Sequence, residues 1–170
     1  MNRFLPTLLF FAFALCLSTS TFAQKRTSMA SFAAGPTPAQ KKSLHRATIG
    51  GQKKLALLLP AVQTVKAKAN YRGPSLQKMA TAYRTKCAYV NRLKGNVNTA
   101  QYKQLQADFA RLNKDLDMYI RYHGGRSGSQ FSDCYTVCHQ SFPGIGGGAG
   151  ANRFACKFGC FVEATGGRGN

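Results

Sequence analysis

Two C-x-x-x-C pairs, Cys134-Tyr-Thr-Val-Cys138 and Cys156-Lys-Phe-Gly-Cys160, stand 17 residues apart and constrain this chain more than any other feature. On a helix, residues i and i+4 share a face, but their β-carbons lie about 5 to 6 Å apart, beyond the roughly 3.8 Å that a disulfide prefers. Each cysteine must therefore find its partner across the gap. If both pairs sit on helices folded antiparallel, Cys134 meets Cys160 and Cys138 meets Cys156. Ser132 is placed to cap the first helix, and the run from Pro143 to Gly150 supplies the reversal. Closing the inner loop stabilises a hairpin by roughly 3 kcal/mol on the chain-entropy account. A unit of this size is too small for a self-sufficient core, so such a staple matters.

The segment resembles the twin C-x-x-x-C helical hairpins, among them the plant α-hairpinins and the small Tim chaperones of the mitochondrial intermembrane space. The resemblance covers residues 131 to 165 and rests on the four cysteines. It implies the same pairing and says nothing of activity, because those families include antimicrobial peptides, protease inhibitors and chaperones.

Oxidised cysteines need a suitable compartment, and the N-terminus supplies a reason to expect one. Arg3 precedes an apolar stretch from Phe4 to Leu17, followed by small polar residues and Thr21-Phe22-Ala23. A charged start, a short apolar core and a small-x-Ala site read as a secretory signal over residues 1–23. The stretch is shorter than the roughly 20 residues a spanning helix needs. A secreted or periplasmic protein starting near Gln24 is expected.

Residues 24–51 hold Gly35-Pro36-Thr37-Pro38, a Gly50-Gly51 pair and few large apolar side chains, and they read as a flexible basic arm. From Leu55 the spacing of Leu58, Leu59, Val62 and Val65 becomes helical, with Pro60 either in a first turn or at a kink. Ser75 opens a second helix, whose stripe is Leu76, Met79, Tyr83, Cys87 and Val90 and which stops at Gly95. Asn98 and Gln101 form a capping-box pattern before the stripe Tyr102, Leu105, Phe109, Leu112, Leu116, Tyr119. Asp117 can meet Arg121 at i, i+4 on that helix. The expected fold is all-α: an antiparallel helical segment over 52–123, a glycine linker at 124–130, a disulfide-stapled helical hairpin at 131–165 and a flexible tail at 166–170. On a helical wheel Phe154, Phe158 and Phe161 fall opposite Cys156 and Cys160, so they need a second surface. The helix pair ending at Tyr119 is the expected one, in preference to a membrane or partner.

Charge points to partners. The chain has 24 Lys and Arg against 5 Asp and Glu, and its first acid is Asp108. The expectation is a non-enzymatic protein that binds anionic envelope or extracellular surfaces through Lys41, Lys42, Arg46, Lys53, Lys54, Lys66, Lys68, Arg72, Lys78, Arg84 and Lys86. Anionic lipid or cell-wall polymer is the expected partner, ahead of extracellular nucleic acid. The plainer reading is a solvated surface kept soluble by charge. A cationic membrane-active or toxin-like effector, inserting the phenylalanine face, is a further reading.

Chemistry has few candidates. Cys134, Cys138 and His139 spell C-x-x-x-C-H, one residue longer than the usual haem-attachment motif, so a haem or redox protein is an alternative; otherwise no cofactor is expected. Zinc on four cysteines competes with the disulfides, but the spacing is loose for a structural site. Gly144 to Ala149 matches a dinucleotide-like G-x-G-x-x-A, without the strand such a loop follows. His45, His123 and His139 are the only bases near neutral pH and form no triad by spacing, so an enzyme is not expected. Cys87 lies on an apolar stripe, which reads as a buried thiol, with a Cys87-linked homodimer as the functional alternative.

Overall fold

The computed structural model describes residues 35–63, 65, 70–123 and 129–166. They form five helices, and no strand occurs among the described residues: α1 (Pro38–Val62), α2 (Leu76–Arg92), α3 (Thr99–Tyr122), α4 (Ser129–Ser141) and α5 (Gly147–Gly166). The signal-like segment 1–23 lies outside the described residues.

α1 begins where composition suggested a flexible arm. Thr37 is its N-cap and closes a capping box with Gln40, while Pro38 takes the first turn, where a missing N–H costs nothing. Residues 38–51 are therefore helix, buried along Leu44, Ala47, Thr48 and Gly51. That stripe continues through Leu55 to Val62. Pro60 does not start a separate helix; it falls in the last turn of α1. Thr48 Oγ1 donates to Asn91 Oδ1 of α2 at 2.9 Å, and Asn91 Nδ2 donates to Gln52 Oε1 at 2.8 Å, tying α1 to α2.

α2 and α3 follow their stripes. Ser75 caps α2 by accepting from the Lys78 N–H, and Asn98 and Gln101 complete the capping box of α3. Gly95 takes φ +77° in the intervening turn, where its N–H bonds the Val90 carbonyl. Asp117 does not pair with Arg121; it faces α4 and α5 instead.

α5 is the centre of the molecule. It packs against α1, α3 and α4, and its interface with α1 is the most extensive in the fold. Phe154, Phe158 and Phe161 are fully buried, and Ala155, Lys157 and Cys160 on other faces are buried too, so α5 is enclosed almost all round. Phe154 stacks on Tyr83 with centroids 4.8 Å apart, and Phe161 meets Tyr119 edge-on at 5.6 Å. The phenylalanine face is core, not an insertion surface. The described residues from 35 to 166 fall within one compact unit.

The disulfides are Cys134–Cys160 and Cys138–Cys156. They staple α4 to α5 as an antiparallel hairpin. α4 starts at Ser129, so Ser132 is inside the helix rather than its cap, and its carbonyl accepts from Thr136 Oγ1 at 2.9 Å. The reversal is shorter than expected because the glycines from Gly147 onward belong to α5. A β-carbon on Gly148 would stand 2.7 Å from Ser43 Oγ and 3.0 Å from the Leu44 nitrogen. These glycines let the α5 and α1 backbones touch.

Candidate functional site

The sequence-derived cations do not form one patch. Lys42, Arg46 and Lys53 are exposed on α1 and, at 100° per residue, fall with Ile49 and Leu57 within about 80° of arc. Leu57 is 82% exposed. Lys41 and Lys54 turn away from this line; the end of the Lys54 side chain, Cε and Nζ, lies over Gly159 of α5. Lys66 and Lys68 lie outside the described residues.

Three of the remaining cations stand beside acids that sequence order had hidden. Arg72, Lys78, Lys86 and Arg111 line a groove of about 540 Å³ between α2 and α3, together with Asp108 and Asp115. Lys86 Nζ sits 2.6 Å from Asp108 Oδ2, so Lys86 is neutralised. Arg84 is exposed elsewhere on α2. An acid-free run of sequence is thus not an acid-free surface: α3 brings its carboxylates back beside α2. The α1 cations have no ion pair among the described residues.

A second cleft, also about 540 Å³, was not legible in the charge pattern. It lies between α3 and the α4–α5 turn and is lined by Asn113, Lys114, Asp117, Arg121, His139, Arg153 and Lys157, among others. At its floor Lys157, 1% exposed, places Nζ 2.8 Å and 3.0 Å from the Asp117 carboxylate oxygens and 4.8 Å from the Tyr135 ring centroid. The Tyr135 hydroxyl donates to Asp117 Oδ1 at 2.6 Å. Burial lowers the Lys157 pKa, and Asp117 opposes the shift. His139 is also lowered, first by burial and then by the charges of Lys157 and Arg153. Tyr135 is raised by burial and by its bond to Asp117.

The chemical candidates are dispersed. His45 is packed against Gly95 within α1 rather than solvated in an arm, His123 stacks on Tyr119 with centroids 3.8 Å apart, and His139 is on α4. The Cys134 and Cys138 sulfurs that haem attachment would consume are both in disulfides. Three cysteine sulfurs, from Cys134, Cys138 and Cys160, lie within 4.8 Å of one another, and all three are oxidised. The G-x-G-x-x-A string joins two helices and follows no strand. Cys87 is a buried free thiol, 0% exposed, with its pKa pushed up to about 12 by burial.

Two disulfides fit a non-reducing, extracellular-type compartment. No described helix is long and apolar enough to cross a membrane. No family model, curated protein or solved structure matches the chain.

Proposed function

We propose that this is an exported, non-enzymatic protein that binds anionic envelope or extracellular surfaces through the outward face of α1. The observation that carries the reading is the exposed line of Lys42, Arg46 and Lys53, without an acid anywhere on α1 and without an ion pair among the described residues. Ile49 and Leu57 beside these cations suit a surface that is anionic outside and apolar beneath, as a lipid headgroup layer is. Export rests on the N-terminal signal pattern and on the disulfides. The likeness to twin C-x-x-x-C hairpins is used for architecture alone.

The test is adsorption of the purified, oxidised chain to phosphatidylglycerol vesicles and to isolated cell-wall polymer at low ionic strength. Binding that weakens steeply with salt supports the reading, and comparison of the two materials names the surface. Absence of binding to both at low salt, or binding indifferent to salt, ends it.

A further inference from the structure

The cleft between α3 and the α4–α5 turn has the makings of a ligand site, and its residues are not those of the α1 face. Lys114 and Arg121 project from one side of α3, seven residues apart. Arg153 of α5 closes the opposite wall, its guanidinium pinned by the carbonyls of Phe142 and Gly144. With Lys157 these are four cations against the single carboxylate of Asp117, so the cleft is a preformed positive pocket.

Two polar atoms there are buried without a partner among the described residues: Asn113 Oδ1 and Arg153 Nε. Asn113 is 7% exposed, and its amide nitrogen already donates to the Phe109 and Gly150 carbonyls at 2.8 and 2.9 Å. Those two bonds fix the amide orientation and leave Oδ1 as an acceptor that calls for a donor. Met118 and Ile145, both exposed, line the same cleft.

The geometry points to a binding site for an acidic sugar unit, one bearing a phosphate or a carboxylate. The anionic group would lie among Lys114, Arg121 and Arg153, a hydroxyl would donate to Asn113 Oδ1, and the apolar ring face would rest on Met118 and Ile145. The volume is of ligand-site size. The His139 pKa is lowered first by burial and then by the charges of Lys157 and Arg153, and the second contribution agrees with a positive field.

The experiment is calorimetric titration of the oxidised chain, at low ionic strength, with glucose 6-phosphate, glucuronate, inorganic phosphate and glucose. The expected result is heat from one or both sugar anions, weaker or no heat from phosphate, and none from glucose. Lys114→Gln with Arg121→Gln should weaken the sugar anion by about tenfold or more. Lys94→Gln with Lys103→Gln removes the same charge elsewhere and should leave binding unchanged. Silence from both sugar anions, phosphate binding as tightly as they do, or equal weakening by both pairs of substitutions overturns the assignment. None of these outcomes touches the α1 reading, which uses other cations.

Discussion

The Tyr83 hydroxyl occupies the space that a β-carbon on Gly51 would need. Tyr83 cannot retreat easily, because its hydroxyl donates to the Ala151 carbonyl at 3.1 Å and its ring stacks on Phe154. One residue earlier, Gly50 has nothing within 4 Å of the same position. Both glycines lie inside α1, where alanine would ordinarily stabilise by about 1 kcal/mol. Gly50→Ala should therefore stabilise by roughly that amount. Gly51→Ala should destabilise, since overpacking a core costs about 1 to 3 kcal/mol and outweighs the helical gain. Chemical denaturation of the two variants checks the opposite signs.

The same position shows why α1 was only half legible. Its outer half carries leucines at helical spacing, but the stripe through Ala47, Thr48 and Gly51 is made of small residues that no hydrophobic pattern reveals. Thr37 and Gln40 spell a capping box with Pro38 in the first turn, but Gly35, Pro36 and the Gly50-Gly51 pair give the segment the composition of a loop. α2 and α3 were legible almost to the residue because their core positions are large and their caps are Ser75 and Asn98. The cysteine pairing follows once both C-x-x-x-C pairs are placed on antiparallel helices, as the resemblance to twin C-x-x-x-C hairpins implies. Lys157 was not legible: a lysine between C-x-x-x-C positions gives no sign of being buried until Asp117, 40 residues away, meets it.

That pair should respond unequally to mutation. Lys157 is almost fully enclosed, whereas the Asp117 side chain is 34% exposed and also accepts from Tyr135. Asp117→Asn leaves an enclosed ammonium without its counter-charge and should cost about 3 kcal/mol, the lower end of the range for breaking a buried pair. Lys157→Met keeps the volume and leaves a carboxylate that water and Tyr135 still serve, so its cost should stay within about 1 kcal/mol. Equal losses in urea unfolding would show that the enclosure of Lys157 does not control the pair.

Alkaline pH should destabilise the fold. Cys87 has its pKa raised from 9.0 to about 12, and burial also raises Tyr71, Tyr83, Tyr119 and Tyr135. Each of these groups loses its proton first in the unfolded chain, so stability is complete below pH 9 and falls as pH rises. Cys87 alone contributes a loss of up to about 4 kcal/mol by pH 12. Lys157 works the other way, because its lowered pKa makes the folded state release its proton first. In Cys87→Ala the decline should start later, where the tyrosines begin to ionise. Denaturant midpoints measured from pH 8 upward would contradict this if variant and parent fell together.

Reduction should act first on α4. This helix packs chiefly on α5, and its two disulfides and the Tyr135–Asp117 hydrogen bond are its main ties. Opening Cys138–Cys156, which spans 18 residues, should cost about 3 kcal/mol by the chain-entropy account. Hydrogen exchange after mild reduction is expected to show loss of protection in α4 before α1 or α3. Uniform loss across all helices would mean that the staple holds the whole core rather than the hairpin.

The α1 face predicts a measurable salt slope. Lys42, Arg46 and Lys53 can each approach an anionic surface, and a cation near such a surface contributes roughly 1 kcal/mol at moderate ionic strength. Replacing all three by glutamine should therefore weaken adsorption to phosphatidylglycerol vesicles by about a hundredfold and flatten its dependence on salt. Replacing Leu57 by serine should weaken binding to vesicles but not to cell-wall polymer, because only the lipid offers an apolar layer beneath its charges. Lys86→Gln makes the contrasting control, since its charge is already spent on Asp108 at 2.6 Å. A loss from Lys86→Gln as large as that from each α1 lysine would show that net charge, rather than the α1 face, governs adsorption.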